Sequence, residues 1–229
     1  MTAFSADSIE STTIVGFQQN PVSGYKMMTP TLEMIGVDEL PIDKFEVKGA
    51  TDGQASIQVM NAAGKWTGTY YWYNELVDGD VSYPAGWFDF AGETPANITL
   101  KKGDAVFFYT EEDGVTVGNA GVVSANEIVN DISGYKMVGN CTPVALAIDS
   151  LEVRGATDGL TSIQVMNAAG KWTGTYYWYN ELVDGDVTYP AGWFDFAGET
   201  PADITLQPGD AVFFYTEETG VQAVIPAAL

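Results

Sequence analysis

The segment Ser23-Gly24-Tyr25-Lys26-Met27 returns as Ser133-Gly134-Tyr135-Lys136-Met137, 110 residues later. From Gly49 onward the spacing shortens to 106. Between Gly49–Glu112 and Gly155–Glu218 only six of 64 positions differ: 54/160, 55/161, 82/188, 97/203, 101/207 and 102/208. The chain is therefore a tandem duplication, and whatever fold one copy adopts the other must adopt too. A period of this length exceeds the roughly 20–50 residues of solenoid repeats and matches one compact domain per copy. The 229 residues divide into an N-terminal arm over 1–22, a first repeat over 23–125 and a second over 126–229.

Each copy reads as all-β. Ser56-Ile57-Gln58-Val59-Met60 alternates apolar and polar residues, Asn61-Ala62-Ala63-Gly64 supplies a turn, and Lys65 to Tyr73 is a Thr/Tyr/Trp-rich strand; together they predict a β-hairpin. Val81-Ser82-Tyr83 follows a polar loop, and Pro84-Ala85-Gly86 breaks the chain before Trp87-Phe88-Asp89-Phe90. The turn Lys102-Gly103-Asp104, with Pro208-Gly209-Asp210 as its counterpart, precedes a strand over Ala105–Thr110. Helical periodicity is absent. Short strands punctuated by turn signals predict two tandem homologous domains, each a β-sandwich or β-barrel-like unit.

The most informative segment is Lys65-Trp66-Thr67-Gly68-Thr69-Tyr70-Tyr71-Trp72-Tyr73, repeated at 171–179. Strand alternation puts Trp66, Gly68, Tyr70 and Trp72 on one face and Thr67, Thr69, Tyr71 and Tyr73 on the other, so both faces carry rings. A face open to water would be polar, so the second row needs cover from a loop, the sister domain or another molecule. Three readings stand side by side. The rings are core and loop packing, or a subunit interface, or a carbohydrate-stacking platform. Under the last two the binding residues are Trp66, Tyr70, Trp72 and Trp87 with their copies Trp172, Tyr176, Trp178 and Trp193.

Composition narrows the chemistry. With no His and one Cys, catalysis by Ser-His-Asp or Cys-His groups is excluded, as are His-built zinc or haem sites and any intramolecular disulfide. Thirty-one Asp and Glu against nine Lys and Arg give a formal charge of −22, which repels nucleic acid and anionic membrane surfaces. No apolar run is long enough to predict membrane insertion, and the opening Met1–Thr12 has neither the basic nor the apolar stretch of a signal peptide. The carboxylates Asp78, Asp80, Asp89 and Glu93 recur as Asp184, Asp186, Asp195 and Glu199. They are candidates for carboxylate-only hydrolysis, and the Asp-Gly-Asp pairs Asp78/Asp80 and Asp184/Asp186 for calcium ligation, set against turns in which Asp caps local N–H groups. No catalytic residue, metal site or cofactor is assigned. Asn97-Ile98-Thr99 and Asn140-Cys141-Thr142 fit the glycosylation sequon, although Asp203 replaces Asn97 in the second copy. Cys141 reads as a small buried side chain, and Met27, Met28, Met34, Met60, Met137 and Met166 as core filler.

The succession Gly-Tyr-Lys-Met, Ser-Ile-Gln-Val-Met-Asn-Ala-Ala-Gly-Lys-Trp, Tyr-Tyr-Trp-Tyr, Pro-Ala-Gly-Trp-Phe-Asp and Gly-Asp-Ala-Val-Phe-Phe-Tyr-Thr resembles aromatic-rich β repeat domains of uncharacterised secreted or surface-exposed bacterial proteins. That resemblance covers most of both copies and implies an extracellular or cell-surface β-module with no established chemistry, so no site residues carry over. Lys102 departs from it, standing where a turn proline is expected. Two functions follow as expectations. The first is a non-enzymatic structural protein that associates with copies of itself into a filament or surface layer, with the arm strand at Ile14, Val15 and Phe17 pairing onto a neighbour. The second is a pair of polysaccharide-binding or adhesin modules whose two equal sites give avidity. A charge of −22 fits either, as a solubilising surface on sticky β-modules.

Overall fold

The computed structural model describes residues 15–33, 39–61, 63–167, 169–184 and 186–228. The chain is two tandem, homologous β-sandwich-like domains. In the first, strands Val15–Met28, Val106–Val122, Ala55–Met60, Trp66–Tyr73 and Gly86–Phe88 lie side by side in that order, and Glu46–Lys48 joins the long strand Val106–Val122. The second repeats the order with Ile128–Gly139, Ala211–Ile225, Thr161–Met166, Trp172–Asp184 and Val187–Phe194, with Glu152–Arg154 on Ala211–Ile225. A two-stranded ribbon, Glu39–Pro41 with Thr99–Lys101, closes the first sandwich, and Leu146–Ala147 with Thr205–Leu206 closes the second.

One bent pair of strands builds both layers. The first half of Val106–Val122 pairs with Ala55–Met60, as in Phe108↔Ile57, and its second half pairs with Glu46–Lys48, as in Val117↔Val47. Val15–Met28 follows it throughout, with a register shift between Val22 and Gly24. At the bend Gly24 and Gly114 take φ of 67° and 76°, which any side chain would resist. A strand that changes layer at a bulge makes a sandwich corner. Val106 and Phe108 from one limb and Val115 and Val117 from the other thus reach one core, with Ile57, Trp72, Trp87, Phe45 and Leu100. The second copy forms the equivalent core around Phe214, Trp178 and Trp193.

The expected hairpin is present, Ala55–Met60 against Trp66–Tyr73, with Gly64 at φ 70° in its turn. The boundary placed at residue 22 falls inside a continuous strand, because Val15–Val22 pairs with Val115–Val122 and belongs to the first sandwich. The predicted strand over Ala105–Thr110 runs on to Val122.

Candidate functional site

Strand alternation is interrupted where the aromatic segment begins. Trp66 pairs with Met60 and Gly68 with Val59, so Thr67 is an extra residue, and its hydroxyl donates to the Val59 carbonyl at 2.9 Å. This β-bulge turns Trp66 over to the face of Met60, away from Tyr70 and Trp72. Trp72 and Trp87 are then core residues, 3% and 1% exposed, as are Trp178 at 2% and Trp193 at 0%. The Trp87 ring lies edge-on to Trp72 at 5.4 Å, and its indole N–H donates to the Phe45 carbonyl at 2.9 Å. Tyr70 and Tyr176 are half-buried against the same cores. The four buried tryptophans have no surface to offer a sugar or a partner, which corrects their place among the binding candidates. Tyr70 and Tyr176 keep part of their surface, and Trp66 and Trp172 are each half-exposed.

On the outer face Trp66 continues a row of rings. Tyr109 stacks on Tyr25 at 4.2 Å, Tyr25 touches Phe107 at 5.5 Å, and Phe107 meets Trp66 edge-on at 6.2 Å. Tyr215, Tyr135, Phe213 and Trp172 repeat the row. Tyr109 donates a hydrogen bond to Glu111, which pushes its pKa up to about 12.

These outer faces meet each other. Met27, Ala105, Met137 and Ala211 form a buried cluster drawn from both repeats, flanked by Met60, Phe107, Met166 and Phe213. The methionines read as filler thus fill a seam between domains, while Met28 alone of those described joins a domain core; Met34 lies outside the described residues. Among the described residues the polar contacts across the seam come in pairs. Lys26 reaches Asp210 at 2.9 Å and Lys136 reaches Asp104 at 3.2 Å. The Thr29 N–H donates to the Gly209 carbonyl at 3.0 Å, and the Gly139 N–H to the Gly103 carbonyl at 2.9 Å. The Gly64 turn sits on the Tyr135 backbone and the Gly170 turn on that of Tyr25, each with room for no Cβ. Such reciprocity, residue i on j and equivalent j on i, relates the repeats by an approximate two-fold axis, as in an isologous dimer. Each seam Asp has a second task, since its other oxygen accepts a turn N–H, from Lys101 for Asp104 and from Gln207 for Asp210. Partly exposed ion pairs contribute about 0–1 kcal/mol each, so burial of the methionine and phenylalanine cluster holds the seam and the pairs set its register.

At one point the symmetry is broken. Thr29 and Gly139 occupy equivalent positions and face each other; a Cβ on Gly139 would lie 2.5 Å from the Thr29 Cβ. The threonine fills the space the glycine leaves, and its hydroxyl donates to the Asp104 carbonyl at 2.7 Å.

The remaining candidates have other placements. Ile14 and the side chains of Asp78 and Asp184 lie outside the described residues. Val15 and Phe17 pair with Val122 and Ala120 of the same chain, so one edge of the arm strand is already taken, and Lys48 sits over the Phe17 ring at 4.3 Å. Asp80 and Asp186 are in exposed turns. Asp89 accepts the Glu93 N–H at 3.1 Å, and a hydrogen bond from the Thr94 side chain leads the effects holding its carboxyl below the usual range. Asp195 is held down first by the Glu199 N–H. Among the described residues no group of three or more Cys, Asp or Glu side chains is placed to hold a metal ion. Asn97 is exposed, whereas Asn140 is buried and donates to the Val144 and Leu206 carbonyls at 2.8 and 3.0 Å. Burial pushes the Cys141 thiol up to about 12, leaving it protonated and inert at neutral pH. A cleft of about 660 Å³ beside the seam collects Lys101, Lys102 and Lys136 together with Glu39, Glu127 and Asp131. Lys102 is committed to Glu33 at 2.9 Å and Lys136 to Asp104.

Away from the seam, each domain carries an exposed apolar ribbon. Leu76–Asp78 pairs with Val81–Tyr83; Val77 and Val81 fall on opposite faces, 66% and 52% exposed. Beyond it Phe90 is 82% exposed, resting edge-on against Tyr71 at 5.6 Å. Val183, Val187 and Phe196 repeat the arrangement. The sequence reading takes Asn74–Asp80, with Val77, as loop, though valines flanking Asp-Gly-Asp are the pattern of a hairpin tip. Comparison with protein-family models, curated proteins and solved structures finds no match.

Proposed function

We propose that the chain is a non-enzymatic structural module of the cell exterior that associates with copies of itself into a filament or surface layer. The observation that carries this reading is the duplicated apolar ribbon, Val77/Val81/Phe90 and Val183/Val187/Phe196, on lobes joined by a closed seam. A seam closed within one chain leaves neither of its faces free, so growth of closed chains requires a second contact, and each chain presents that contact twice. Exposed ribbon edges and apolar side chains are the material of strand-to-strand association. The extracellular placement rests on the resemblance of the repeats to secreted and surface-exposed domains. A charge of −22 opposes association at low ionic strength, so added salt favours it by screening.

Light scattering and electron microscopy across a salt series test this. The wild-type chain is expected to pass from its 24.6 kDa monomer to growing particles as salt rises. The double variant Val81→Asp/Val187→Asp is expected to stay monomeric with an unchanged circular dichroism spectrum and Tm. Wild-type monomers at every salt concentration would refute the reading. A second reading, polysaccharide binding, is favoured by the half-exposed Trp66 and Trp172, each at the end of a ring row. Quenching of tryptophan fluorescence by a polysaccharide, lost in Trp66→Ala/Trp172→Ala, would select it.

A further inference from the structure

We propose that the seam between repeats is also a docking surface between chains: repeat 1 of one chain seats on repeat 2 of a second copy, using the contacts it makes within its own chain. The seam is built from segments present in both copies: the Gly-Tyr-Lys-Met strand, the Gly-Asp turn and the hairpin turn at Gly64 or Gly170. A sister repeat in another chain offers the same Asp210 to Lys26, the same Asp104 to Lys136 and the same methionine cluster. The own-chain sister is favoured only through tethering. The tether is the connection from Val122 to Ile128, and it sets a local concentration that a high concentration of free chains can match. Two near-identical domains in one chain are prone to this misassembly during folding.

The broken symmetry at Thr29 and Gly139 gives the exchange a direction. Repeat 1 against repeat 1 would oppose Thr29 to Thr29, in a space where a Cβ opposite Thr29 comes within 2.5 Å. Repeat 2 against repeat 2 would oppose Gly139 to Gly139 and leave a hole in a buried seam. Repeat 1 on repeat 2 fills the space with one methyl-bearing side chain. Exclusion of the like-with-like pairings is how a self-complementary face acquires specificity. Exchange therefore runs head to tail, each chain offering a free repeat 1 at one end and a free repeat 2 at the other, an operator that need not close. The ribbons play no part in this contact, so it stands apart from the function proposed above.

Zero-length cross-linking tests it on the full, unaltered chain. Equal amounts of ¹⁴N- and ¹⁵N-labelled chain are unfolded, mixed, refolded over a concentration series and treated with a carbodiimide, which condenses a lysine amine with a contacting carboxylate, forming an amide and releasing the activating group as a urea. Lys26–Asp210 and Lys136–Asp104 peptides are then read by mass spectrometry. Mixed-isotope pairs are expected to rise with refolding concentration toward the random-mixing share, while mixed-isotope Lys26–Asp104 pairs, the mark of repeat 1 on repeat 1, stay absent. Same-isotope pairs alone at every concentration would overturn the exchange. Abundant mixed Lys26–Asp104 pairs would overturn its direction. Salt-driven particles in a sample without mixed pairs would leave the ribbon contact standing and this one refuted.

Discussion

Gly139→Thr separates the two lobes. Its backbone is extended, so threonine suits the strand itself, and the penalty comes from the new side chain, whose Cβ alone would lie 2.3–3.0 Å from the Thr29 side chain and the Asp210 carbonyl. Overpacking a buried site costs about 1–3 kcal/mol, and a neighbour that is partly backbone holds the cost near the upper end. The expected result is a single thermal transition resolving into two, because lobes that no longer dock unfold independently. Adding Thr29→Gly moves the threonine to the other side of the axis and is expected to restore most of the loss. A purely local defect at residue 139 would not respond to residue 29, so a double-mutant cycle reads the contact directly.

Trp87→Ala is expected to cost about 3–5 kcal/mol, the range for removing a fully buried aromatic. The ring is 1% exposed between Trp72 and Phe108, and its loss also strands the buried Phe45 carbonyl. Trp193→Ala should do the same in the second domain, where the indole donates to the Leu151 carbonyl at 3.0 Å. Trp66→Ala should cost about 1 kcal/mol or less, since half of its ring is in water. Chemical denaturation of the three variants checks the ranking, and a Trp66→Ala as damaging as Trp87→Ala would place the bulge wrongly.

That contrast shows where the sequence was legible. Alternation assigned Tyr70 and Trp72 to one face and Tyr71 and Tyr73 to the other because a regular strand has a period of two. It failed at Trp66 because one inserted residue reverses every assignment beyond it, although Gly68 inside a strand is the usual mark of such a bulge. The domain boundary followed sequence identity, which fades before residue 23, whereas the structural equivalence continues upstream: Val22 and Ile132 are both buried, at 5% and 2%. A strand needs only an inward apolar residue at that place, and valine and isoleucine both supply it. The seam was out of reach for a different reason. Periodicity says that a face is apolar without saying what covers it, and the outer row was left between loop, sister domain and other molecule. Within the near-identical stretch the signal that points to the sister is Lys101-Lys102 against Gln207-Pro208, in the turns whose Asp104 and Asp210 reach across the seam.

Everything proposed for the chain, from the duplicated ribbons on a closed pair of lobes to exchange between chains, depends on the two repeats meeting through their methionine faces. Nuclear Overhauser spectra of the monomeric chain labelled only at methionine methyl carbons report on that face without altering a residue. Cross-peaks linking Met27 and Met60 of repeat 1 to Met137 and Met166 of repeat 2 are the expected result. Methyl groups that see neighbours of their own repeat alone would contradict the account.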